Sequence, residues 1–182
     1  MTLQDILTSA LILLDESANE LTADKLANDK NIALLAECVN MTLQEIAVEY
    51  VPAIKSETLN FTSGKLSSKT SEEVWKVIKV EQDGVSYPFN AEAKGVIIAS
   101  GLSGRANVTY RYLPAKLKSL TTAADVGEGV MCQSVALGAC ARYCMIRGLY
   151  EQSAAFLQKF EFDMRTASRP RNNTYIKRRE WY

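Results

Sequence analysis

The chain has 182 residues, 47% hydrophobic and 23% charged, enough to bury a core as one domain or as one domain with an insertion. Its 21 basic and 21 acidic residues cancel, which argues against a dedicated nucleic-acid binder with a basic groove. It contains no histidine, which removes Ser-His-Asp and Cys-His catalysis, His-ligated metals and the usual near-neutral acid–base group.

The zero conceals a gradient. Residues 1–53 hold nine acids against Lys25 and Lys30, a net −7; residues 54–128 hold ten bases and eight acids, a net +2; residues 129–182 hold nine bases and four acids, a net +5. Such asymmetry suits a protein that meets different neighbours, or copies of itself, at its two poles.

In chain order, Leu3, Ile6, Leu7, Ala10, Leu11 and Leu14 recur at helical spacing, and Thr2 with Asp5 forms a start signal. The apolar run 6–14 follows an acid and is too short to span a bilayer, so it reads neither as an export signal nor as a membrane span. The four cysteines, Cys38, Cys132, Cys140 and Cys144, are then expected as reduced thiols of a cytoplasmic product. A second helix starts near Thr22 or Asn31 and presents Ile32, Leu35, Val39, Leu43, Ile46, Ala47 and Tyr50 on one stripe until Pro52 ends it.

The period then changes to that of strands, expected over 58–62, 74–81, 85–89, 95–100 and 107–112. Ser63-Gly64, Asp83-Gly84 and the stretch Gly101, Leu102, Ser103, Gly104 supply turns between them, and Asp83-Gly84 between two strand-like runs predicts a hairpin. Gly101 to Gly104 lacks the spacing of a nucleophile elbow, and Gly127-Glu128-Gly129 lacks the Lys-Ser/Thr of a phosphate loop. Helix returns over 130–147, with Gly148 as its C-cap, and again over 150–167, where Ala154, Leu157, Phe160, Glu161 and Met164 follow helical spacing before Pro170. Cys132, Cys140 and Cys144 share a face of the first of these helices. Together with Cys38 they offer four thiolates to zinc, but without a C-x-x-C knuckle they read as small buried side chains that let helices approach. No cofactor is expected.

The expected fold class is α+β. N- and C-terminal helix pairs (1–53 and 115–168) form a helical bundle, with a small antiparallel β unit inserted at 54–114 and an extended C-terminal tail at 169–182.

Residues 108–114 (VTYRYLP), the small-residue helix ACARYCMIRG at 139–148, the following LYEQSA, then Phe156, Leu157, Lys159, Phe160 and Glu161, and the basic-aromatic end IKRREWY form a recognisable order. Over roughly 55–182 the chain resembles the head-to-tail connector, or neck adaptor, proteins of tailed bacteriophages. That resemblance implies a non-enzymatic virion protein, assembled in host cytoplasm, forming a ring of typically twelve copies beneath the portal. Its partners would be the portal protein, other neck or tail proteins and itself, with DNA passing through the channel without specific binding, and no membrane.

The resemblance also implies that the C-terminal tail docks on the portal through Thr174, Tyr175, Ile176, Lys177, Arg178, Arg179, Trp181 and Tyr182. Tyr175-Ile176 would pair as a short strand, with the two terminal aromatics filling pockets. The competing expectation for the tail is an edge strand on its own molecule. The loops at Asp83, Gly84 and Gly101 to Gly104 would project toward neighbouring copies or the tail. Two rival readings are a tail-completion or terminator protein, and a small nucleic-acid module using Lys177, Arg178, Arg179 and Trp181.

Overall fold

The computed structural model describes residues 1–16, 21–92, 96–99, 101–127 and 129–168. It is a mixed helix-and-sheet, α+β protein. Helix α1 (Leu3–Leu13) opens with the expected reciprocal cap: the Thr2 N–H donates to Asp5 at 2.7 Å and the Asp5 N–H to the Thr2 hydroxyl at 3.3 Å. Its next free donors are met from far along the chain, Leu3 by the Thr122 carbonyl at 3.1 Å and Gln4 by that of Leu120 at 3.0 Å.

The single helix expected from Thr22 or Asn31 is two. Thr22 caps α2 (Ala23–Asn28), and Asp29 caps α3 (Lys30–Glu45) by accepting from the Asn31 N–H at 2.8 Å. A π-helical turn, Ile46–Tyr50, extends α3 before Pro52, with Ile46 in the helical core and Ala47 in the core of the sheet.

Among the described residues seven strands form one antiparallel sheet: β1 (Ile54–Thr62), β2 (Lys65–Leu66), β3 (Val74–Gln82), β4 (Val85–Ser86), β5 (Phe89–Glu92), β6 (Val96–Ala99) and β7 (Gly104–Tyr112), in the order β4-β3-β7-β1-β2-β6-β5. β1 pairs with β7 from Ile54 opposite Arg111 to Phe61 opposite Gly104. The strand expected over 107–112 is the end of β7, where burial alternates, with Val108, Tyr110 and Tyr112 buried. The strand expected over 85–89 is broken into β4 and β5 around Pro88, which has no N–H to give. Both Asp83-Gly84 and Ser63-Gly64 take positive φ at both residues, the mirror-image turn that suits the twist of a hairpin. The sheet curls until β5 approaches β3, and Leu59, Phe61, Val77, Leu102, Val108 and Tyr110 fill its inner side.

Near the start of β1, Glu57 accepts from the Ser71 hydroxyl, from the Ser71 N–H at 3.2 Å and from the Tyr110 hydroxyl at 2.9 Å, with Lys55 3.4 Å away. The Ser71 hydroxyl is the largest cause holding this carboxyl down to about 2, against the opposing effect of partial burial.

Helices α4 (Cys132–Ile146) and α5 (Tyr150–Ala167) follow the connector. Gly148, at φ 77°, ends α4 as expected: its N–H reaches the Met145 carbonyl at 3.1 Å and the Leu149 N–H reaches that of Cys144 at 2.9 Å. The stripe expected on α5 is rotated. Ser153, Phe160 and Met164 are buried, whereas Ala154 and Leu157 are exposed, because α5 meets α4 where the Ser153 hydroxyl bonds the Ala141 carbonyl at 2.7 Å.

α4 runs between α1, α3 and α5 in one core containing Leu7, Leu35, Val39, Val135, Ala139 and Phe160. A Cβ on Gly138 would lie 2.6 Å from the Thr42 methyl and 3.0 Å from the Phe160 ring, so only glycine permits this approach. All four cysteines are free thiols, and Cys38, Cys140 and Cys144 are buried. Burial pushes the Cys140 thiol up to about 12, and its S–H points at the Ala10 carbonyl, 3.5 Å away. Among the described residues no group of three or more cysteines and carboxylates gathers as a metal site.

Two outcomes follow from these contacts. Gly138→Ala should destabilise the protein by about 1–3 kcal/mol by overpacking, despite the better helix propensity of alanine, as read by the urea midpoint. Because the folded Glu57 carboxyl lies below the ordinary 4.5, its stabilising contribution is complete above about pH 4.5 and is lost as pH falls toward 2. Glu57→Gln should therefore flatten the acid limb of a stability–pH profile over that window.

Candidate interaction surfaces

The candidate surfaces are the turns of the sheet and the exposed apolar side chains of the described residues. The docking residues read from the tail, Thr174, Tyr175, Ile176, Lys177, Arg178, Arg179, Trp181 and Tyr182, lie outside the described residues.

The two loops read as contact loops come together. The Gln82 side chain, next to Asp83-Gly84, donates to the Ser103 carbonyl at 3.2 Å. Gly64, in the third turn, donates to the Leu102 carbonyl at 2.8 Å, and its own carbonyl accepts from the Ala99 N–H at 2.7 Å. All three turns therefore sit at one end of the sheet. The other end is where the chain passes to the helices: Ala53, between the π-helical turn and β1, accepts from the Tyr112 N–H at 3.1 Å, and the Tyr112 hydroxyl bonds Asp125 of the connector. Eight residue steps of β1 separate the two ends by about 26 Å.

Within the loop, Asp83, Gly84, Gly101 and Ser103 are exposed, and Gly104 is exposed as the first residue of β7. Leu102 is different: it is 0% exposed and belongs to the inner side of the sheet. Read from sequence as a contact residue, it is a core residue instead, because the apolar side chain between Gly101 and Gly104 turns inward where the turn closes over the end of the curled sheet.

Other exposed apolar side chains carry no signal that the sequence reading used. β3 has two irregularities in its pairing with β7, between Val74 and Lys76 and between Val77 and Lys79. They replace alternation by a run in which Trp75, Lys76, Ile78 and Lys79 are all exposed. Where α4 turns into α5, Met145, Ile146, Leu149 and Tyr150 are exposed. Beside them a groove of about 160 Å³ runs over Gly138, Ala141 and Phe160, rimmed by the Glu45–Arg142 pair at 2.6 Å.

No family model matches this chain, and no curated protein matches it.

Leu102→Ala should cost about 2–5 kcal/mol of stability. Ser103→Ala, one residue on, should stay within about 0.5 kcal/mol of the parent. Thermal unfolding of the pair separates the core role of the first from the surface role of the second.

Proposed function

We propose that this chain is a non-enzymatic structural protein of a tailed-phage virion, a head-to-tail adaptor that forms a ring below the portal and links it to the next neck or tail component. The observation that carries this reading is the order over roughly 55–182: a β unit ending in VTYRYLP, a connector, a small-residue helix, a second helix and a basic-aromatic end. The finer architecture belongs to the same proposal: a bundle of N- and C-terminal helix pairs, with the β unit as an insertion and 169–182 as an extended docking segment.

Two features support it. α4 packs with α1, α3 and α5, while the turns lie at the far end of a β1 about 26 Å long, an arrangement that offers separate surfaces to separate neighbours. The tail concentrates tyrosine, tryptophan and arginine, the residue types that dominate binding hot spots, in a segment with too little apolar surface to form a core of its own. In this role the chain works in the virion neck after assembly in host cytoplasm, and DNA crosses its ring without specific binding. Twelve-fold repetition would convert a modest tail affinity into a stable joint through avidity.

Full-length protein and a version ending at Ser168 are the baits for a pull-down against particles of the phage that encodes it, with captured proteins identified by mass spectrometry. The portal protein is expected on the full-length bait and is expected to be lost with residues 169–182. Capture of the portal by both baits would remove the tail from the docking role, and capture of no head or tail component by either would overturn the adaptor reading.

A further inference from the structure

The outward face of the sheet carries a group that its own fold leaves unused. Pairing sets Ile54 opposite Arg111 and Arg111 opposite Lys76, so two cations stand side by side across neighbouring strands, an arrangement that costs stability. Among the described residues neither has an acidic partner. The irregularities of β3 bring Trp75, 55% exposed, and Ile78, 42% exposed, beside them, and Ile54 is 54% exposed. Further along, the same face turns polar, with Ser56 bonded to Thr109 at 2.8 Å and Thr58 opposite Asn107. Lys79 follows opposite Thr109 and the exposed Arg105 lies opposite Asn60 at the turn end, so what gathers nearest the helices is the group of Ile54, Trp75, Lys76, Ile78 and Arg111.

A face of complementary character lies elsewhere on the same chain. Along α3, Glu37, Met41 and Glu45 follow at four-residue spacing, and Glu49 continues on the π-helical turn; Glu37 is paired with Lys116 and Glu45 with Arg142 in the same chain, which leaves Glu49 as the carboxylate open to a new partner. Met41 is 45% exposed, and Glu49 is exposed with no ion-pair partner among the described residues. These residues belong to the 53-residue segment whose net charge is −7.

We propose that these two faces bind each other between copies: the Trp75-bearing basic face of one sheet docks on the acidic outer side of α3 in the next copy. Lys76 and Arg111 gain carboxylate partners, chiefly Glu49, and Trp75 and Ile78 cover Met41. The two faces are different patches of one chain, so the contact is head-to-tail, the type that builds a ring when the rotation closes. A nucleic acid fits less well, because two unpartnered cations neutralise too few phosphates for firm binding. The inference rests on the ring-forming part of the function proposed above and adds which surfaces meet.

The test mixes unlabelled and ¹⁵N-labelled full-length protein at high concentration, joins touching lysine and carboxylate groups with a carbodiimide, and identifies the links by mass spectrometry. Mixed-label peptides joining Lys76 or Lys79 to Glu49 or Glu37 are expected. In sedimentation, Lys76→Glu with Arg111→Glu should weaken self-association roughly tenfold. Mixing that variant with Glu37→Lys, Glu49→Lys protein should restore association, a rescue that a misfolded variant cannot give.

Absence of mixed-label links, or self-association unchanged by reversal of either face, overturns the contact. So does duplex DNA that binds the full chain and is lost on Lys76→Glu, Arg111→Glu while self-association stays intact. Portal capture is read separately. Face-to-face links without portal capture leave this contact standing and remove the adaptor reading; portal capture without the links removes the contact alone.

Discussion

The approach of three helices at Gly138 is the constraint on which the helical half depends. With no side chain there, the Thr42 methyl and the Phe160 ring close over the backbone of α4. Thr42 is itself held by its hydroxyl bond to the Cys38 carbonyl at 2.9 Å, so its methyl points where the glycine leaves room. Ser134, Ala136, Ala139, Cys140 and Ala141 extend the same narrow surface, and dispersion over it works at short range only. The buried thiols fit this account: they fill space as small apolar groups, and burial keeps them protonated.

From this packing the position of everything else follows. α3 reaches the sheet through a π-helical turn in which Ile46 faces one core and the next residue, Ala47, faces the other. The connector is anchored beside it, because Asn40 accepts from the Leu117 N–H at 2.8 Å and donates to the Leu117 carbonyl at 3.3 Å. Tyr112 and Asp125 bond across the same seam, and Val51 occupies the space that a side chain on Gly127 would need. Among the described residues these bonds hold the sheet at the end opposite its turns.

Much of this was legible in the residues, for physical reasons that differ from place to place. Thr2 with Asp5, Asp83-Gly84 and Gly148 each meet a local stereochemical demand, and local demands are written in short stretches of chain. The break between α2 and α3 was half visible, since Thr22 signalled one start, but Asp29 caps a second helix through a side chain that serves equally well in a turn. The face of α5 was misjudged because the choice between Leu157 and Ser153 as the inward residue is decided by α4, whose small side chains accept a hydroxyl at close range. The exposed run on β3 depends on its pairing with β7, and no alternation within β3 itself reveals a bulge. Leu102 read as a turn residue by its neighbours; only the curled sheet gives it an inside.

The carbonyls that complete the first turn of α1 have a bearing on how the protein is made. Leu3 and Gln4 find their acceptors at Thr122 and Leu120, and Met1 in turn accepts from the Ala124 N–H at 2.9 Å. The bonds of Leu3 and Gln4 cannot form until residues 120–122 have been made, by which time the residues of the whole sheet have been made as well. The sheet closes its contacts within residues 54–112 and is free to fold first, whereas α1 needs contacts of high sequence separation, the slowest kind to form. Contact separation thus favours an order opposite to the written one, with the sheet closing before α1 is seated against the connector.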